Sequence, residues 1–152
     1  MAVAFNYHLI IILLFIMQLK LISRRLVSYG TIFICLIKFA IRPLQHFDEP
    51  LSFILGIMPN LAGSFLIPFG AYWFFSGKDF LLARIFRIQS AFDLRIVCLL
   101  GFAMLVVNEY LQKIPVFGRT FDYYDVLFSF VGLLLSCLLF SRLLQRRMPV
   151  IH

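Results

Sequence analysis

Residues 51–75 read LSFILGIMPNLAGSFLIPFGAYWFF, a run without one charged side chain. About 20 apolar residues suffice to cross the hydrocarbon core of a bilayer. This stretch alone therefore points to a membrane protein, and the rest of the chain agrees. Of its 152 residues 62% are hydrophobic and 14% charged, where roughly 45–50% and about 25% are usual in soluble domains. Nineteen Phe outnumber the seven Asp plus Glu. A soluble globule of this length could not bury so much apolar surface. A soluble domain, a disordered tail and a collagen-like chain are all excluded. The expected fold is all-α, a polytopic membrane helical bundle forming a single domain over residues 1–152.

Within the opening stretch, Pro59-Asn60 and Pro68 interrupt the apolar run. A proline inside a helix has no amide to donate. The expectation is a short interfacial helix at 51–58, a break, and a span over 60–77, with one kinked helix as the alternative. Gly56, Gly63, Gly70 and Gly77 recur every seven residues. On a continuous helix they share one face and admit a close neighbour.

Working outward, residues 3–20 form an apolar run followed by Lys20, Arg24 and Arg25. A signal peptide has its basic residues before the apolar run, so this segment reads as an uncleaved span. A second reading starts translation at Met17. Residues 26–44 form the next run, with Lys38 and Arg42 near its far end, placed to snorkel to the interface. Residues 80–93 interleave Arg84 and Arg87 with Phe80, Leu81, Leu82, Ile85 and Phe86. That pattern suits an amphipathic helix on the membrane surface and equally a solvated connector. Spans at 96–112 and 121–141 complete a core of four helices with an extra N-terminal one.

The net charge is +7. The basic residues cluster between apolar runs, the pattern of orientation signals rather than of nucleic-acid binding. Lys20, Arg24, Arg25, Lys78, Arg84, Arg87, Arg95, Arg142, Arg146 and Arg147 mark the inner side. The expected topology has five spans, N-terminus out and C-terminus cytoplasmic. If the first run merges with the second, four helices remain and both ends lie inside. Cys35, Cys98 and Cys137 sit singly in apolar runs, and no Cys/His cluster suggests a metal. No cofactor is expected.

Polar residues in membrane segments carry information because their burial is costly. Alternating helix directions bring Asn60, Glu109, Gln112, Arg119, Asp122 and Asp125 to one side of the membrane. Glu109 and Gln112 are three apart and share a helix side, as do Asp122 and Asp125. Arg119 is the natural counter-ion. Such a group suits a cationic or amphiphilic ligand. It equally suits architecture: Asp122 as an N-cap with Asp125 in the first helical turn, and an ion pair closing the turn. Ser129, Gly132 and Ser136 make a small-residue stripe, read with Gly63 and Gly70 as packing faces. No nucleophile motif, phosphate loop or metal-binding HExxH is present, so the sequence leans away from an enzyme.

At this cluster the chain resembles the VanZ-like family of bacterial membrane proteins. The resemblance runs from about Asn108 to Ser136: Glu109 and Gln112 ending a helix, the turn Gly118-Arg119-Thr120-Phe121-Asp122, then Asp125 and Gly132. Gly-Ile-Met-Pro-Asn at residues 56–60 adds to it. Ser129 stands where the family usually has Asn, and Ser136 where it has a second Gly. The resemblance implies a multi-pass protein of the bacterial plasma (inner) membrane. It also implies a link to glycopeptide resistance without a defined reaction.

Three functions compete on these grounds. The first is a non-enzymatic cell-envelope protein binding a lipid headgroup, a lipid-linked envelope precursor or an amphiphilic antibiotic such as a glycopeptide at the outer interface. The second is a small transporter subunit or accessory protein, with the break at Pro59-Asn60 lining a path and a homodimer formed over Gly63 and Gly70. The third is an intramembrane hydrolase or transferase using paired carboxylates.

Overall fold

The computed structural model describes residues 2–44, 48–111 and 122–145, without the side chains of residues 2–9, 11, 12 and 44. These residues form helices α1 (Ala2–Cys35), α2 (Arg42–Leu44), α3 (Glu49–Phe75), α4 (Leu81–Phe86), α5 (Ala91–Leu111) and α6 (Tyr123–Gln145). A π-helical stretch, Leu36–Ile41, joins α1 to α2. Three helices, α3, α5 and α6, are long and apolar enough to cross a membrane.

The two runs expected at 3–20 and 26–44 are one continuous helix. Lys20, Arg24 and Arg25 do not stop it, because lysine and arginine are good helix formers and no Gly or Pro falls between the runs. At 34 residues α1 is about 51 Å long, well beyond the hydrocarbon thickness of about 30 Å.

The expected break at Pro59 is also absent. α3 runs through Pro59 and Pro68, both buried. Neighbouring helices packed against the proline positions hold such a helix together where an isolated one would break. Its start is set by Pro50 in the first turn, where a missing amide is harmless. It ends at Gly77, whose φ of +79° is left-handed backbone that glycine adopts readily. Gly77 therefore belongs to the turn, off the face shared by Gly56, Gly63 and Gly70.

Residues 80–93, open between an amphipathic helix and a connector, hold one short helix and the start of another. α4 covers six residues, and α5 starts afresh at Ala91 with its own cap. Ser90 Oγ accepts from the Asp93 amide at 3.1 Å. Asp93 Oδ2 accepts from the Ser90 and Gln89 amides at 2.9 and 3.0 Å. This reciprocal box satisfies the free amides of a helix start.

α3 is the central helix and packs against α6, α1 and α5, while α5 also packs on α6. α1 runs antiparallel to α3. A Cβ on Gly70 would stand 3.9 Å from Val27, and one on Gly63 would stand 3.9 Å from Ile34. Lys20 Nζ donates to Ser76 O, at the end of α3, over 3.1 Å. Residues before Lys20 therefore outrun α3, exposing Ile10, Leu13, Leu14 and Met17. α6 approaches α3 most closely at Gly132, where any Cβ would overlap Ser64 Oγ and the Leu61 carbonyl.

The core lies toward the Lys20–Ser76 end. It joins Leu19, Phe69, Tyr72, Ile88, Leu94, Val97, Phe140 and Leu144. Phe140 meets Phe69 and Tyr72 edge-on, with ring centroids 5.1 and 5.5 Å apart. Elsewhere large apolar side chains face outward along α1, α3, α5 and α6, and in the π-helical stretch Phe39 is 77% exposed. So much exposed apolar surface is incompatible with water and suits lipid.

Candidate functional site

The opposite end of the bundle collects the polar side chains. Asp122 caps α6: its Oδ1 accepts from the Tyr124 amide at 2.8 Å, the capping role the spacing allowed. Asp125, one turn in, is half-buried on the side of α6 that continues through Ser129, Gly132 and Ser136 toward α3. There it accepts a side-chain hydrogen bond from Asn60 of α3 and feels the charges of Asp122, Arg42 and Lys38. Phe53 and Tyr124 hold the same two helix starts together, edge-on, at 5.2 Å.

Lys38 and Arg42 lie at this end, in and just after the stretch where the helix changes its winding. The Arg42 amide bonds Ile37 O, five residues back. A π-helical turn of this kind rotates the residues that follow it, and such turns recur at functional sites. The Arg42 guanidinium then lies along α3, where a Cβ on Gly56 would stand 3.3 Å from its Nη2. Sequence reasoning named Arg119 as the counter-ion, a residue outside the described ones, and did not weigh Lys38 and Arg42 beside it. Their i, i+4 spacing in an otherwise apolar run was the signal for them.

Glu109 is buried near the end of α5. It lies seven residues beyond Phe102 and three beyond Val106, hence on one side of the helix with them. Phe102 and Val106 line an apolar groove of about 400 Å³ between α5 and α6, completed by Tyr110, Tyr123, Val126, Leu127 and Phe130. Tyr110 and Tyr123 stand at its polar end. Asn60, Glu109, Asp122 and Asp125 therefore share one end of the bundle. Gln112 and Arg119 lie outside the described residues.

The packing residues fall into two contacts. Gly63 and Gly70 face α1, while Gly132 and the buried Ser136 belong to the α3–α6 contact. Cys98 and Cys137, distant in sequence, meet between α5 and α6 at hydrogen-bonding distance. No group of three or more His, Cys, Asp or Glu able to hold a metal occurs among the described residues.

Fold and site together define an all-helical protein of membrane type, with polar side chains at one end and an apolar groove running from it. No protein family, curated protein or solved structure matches the chain.

Proposed function

We propose that the chain is a VanZ-like, multi-pass cell-envelope protein that binds an amphiphile at the outer interface. The ligand class is a lipid headgroup, a lipid-linked envelope precursor or an amphiphilic antibiotic. The observation that carries this reading is the groove between α5 and α6, which meets the polar end at Tyr110 and Tyr123. An acyl chain fits such a groove, and a headgroup would then lie level with Glu109 and Asp122. The merged N-terminal helix favours the four-crossing topology: residues 20–42, α3, α5 and α6 cross the membrane, and both ends lie in the cytoplasm. The transporter reading rested on a broken helix at Pro59, and α3 is continuous there.

The test is labelling with a photoactivatable phospholipid in native membranes, mapped by peptide mass spectrometry. Label should concentrate on Phe102, Val106 and Phe130, and Glu109→Ala should reduce it severalfold with insertion intact. Label spread evenly over all lipid-facing surfaces would refute the site. Loss of insertion in Glu109→Ala would assign that carboxylate to architecture. Glycopeptide susceptibility of cells making the wild type or Glu109→Ala tests the antibiotic branch.

A further inference from the structure

The end of the bundle away from the groove carries a second surface. Lys20, Arg24, Arg25, Lys78, Arg84, Arg87, Arg95 and Arg142 surround the core there, each close in sequence to a residue that anchors it. Lys20 follows Leu19, Arg87 precedes Ile88, Arg95 follows Leu94, and Arg142 is two residues before Leu144. Two acids share this end, and both are engaged. Asp79 lies 3.7 Å from Arg87. Asp93 is turned into the cap of α5 by the Gln89 and Ser90 amides. The other seven cations have no carboxylate within ion-pairing distance among the described residues. Lys20 is held by the Ser76 carbonyl, and Lys78 Nζ sits over the Phe74 ring, 3.7 Å from its centroid.

Apolar side chains are interleaved with these cations at the same level. Leu81 of α4 is 74% exposed and Phe92 68%, with Phe80, Leu82 and Ile85 also outward. In water these residues would be a liability. At a membrane surface they enter the acyl boundary while the neighbouring guanidinium groups meet phosphates. Such an excess of positive charge over the two acids, beside apolar anchors, calls for a negatively charged, amphiphilic partner.

We propose that this end is a docking surface for anionic phospholipid headgroups of the inner leaflet, with Arg84, Arg87 and Arg95 as its centre. The surface is separate from the groove and does not depend on it. The charges do more than orient the chain: they enrich anionic lipid around it.

Trp73, the single tryptophan, lies near the end of α3 beside this surface and serves as the reporter. The protein is reconstituted in vesicles with brominated lipid as quencher, either brominated phosphatidylglycerol or brominated phosphatidylcholine at equal mole fraction. Quenching should be severalfold more effective with the anionic lipid. That preference should fade at high salt, as exposed charges are screened. Arg84→Gln/Arg87→Gln/Arg95→Gln should abolish it, bringing the two lipids to equal quenching, since a single cation near the surface is worth about fivefold. The Arg→Lys triple variant, which keeps the charge, should retain it. Equal quenching of the wild type by the two lipids overturns the proposal, as does an undiminished preference in the correctly inserted Gln variant. A preference unchanged by salt overturns it too. If the Gln variant fails to insert, the lipid and salt comparisons on the wild type decide alone.

Discussion

Gly132 is the residue on which the α3–α6 contact turns. A side chain there would fall onto the Leu61 carbonyl and Ser64 Oγ, and backbone cannot move aside as a flexible side chain can. Gly132→Ala should therefore push the helices apart and lower stability by about 1–3 kcal/mol, the usual range for overpacking. Gly63 differs, because its nearest neighbour would be Ile34 Cδ1 at 3.9 Å, an ordinary contact. Gly63→Ala should be neutral, or stabilising by a few tenths up to about 1 kcal/mol from reduced chain entropy. Unfolding midpoints of the two variants in one detergent check the contrast. Equal losses would mean that α1 presses on α3 as tightly as α6 does. The glycine spacing was legible in the sequence. Which glycine is indispensable was not, since that depends on the atom opposite.

Among the elements, α5 shows how a local signal fixes a boundary. The sequence expectation started this span at residue 96, whereas the helix begins at Ala91 because Ser90 and Asp93 cap it reciprocally. Asp93→Ala should cost about 1 kcal/mol, as loss of a cap commonly does. Asp93→Asn, which keeps an acceptor, should cost less. Hydrogen exchange of the first-turn amides should rise in the Ala variant ahead of the rest of α5. Unchanged exchange would place the restraint in packing of Leu94 and Val97 instead. α1 and α3 teach the converse. Charges within α1 and prolines within α3 suggested breaks, yet both helices run on: lysine and arginine are good helix formers, and the prolines of α3 are buried among neighbouring helices.

For the whole molecule, the four-crossing topology proposed above rests on the charge distribution and the merged α1, and cysteine labelling tests it. In a background without Cys35, Cys98 and Cys137, a cysteine replacing Asp48 should react with an impermeant maleimide in intact cells. One replacing Gln89 should react only after permeabilisation. A cysteine at position 4 separates the two span counts: inside for four crossings, outside for five. Labelling of position 4 in intact cells would restore the separate N-terminal span.

The sequence by itself determined the class of this protein. Apolar runs without charge leave no other solvent than lipid, where a span must satisfy its backbone hydrogen bonds within itself and so is helical. Alternating helix direction also gave the expectation that polar side chains gather at one end, where the described Asn60, Glu109, Asp122 and Asp125 lie. Only the tertiary structure decided the partners. Asn60, rather than a residue of α6's own turn, bonds Asp125. Lys38 and Arg42, at the end of the first long helix, put their charge near that carboxylate, and a groove is left between α5 and α6. Spacing along one helix fixes a direction around its axis, but it cannot say which neighbour stands in that direction. Close packing of α3 with its neighbours supplies that choice.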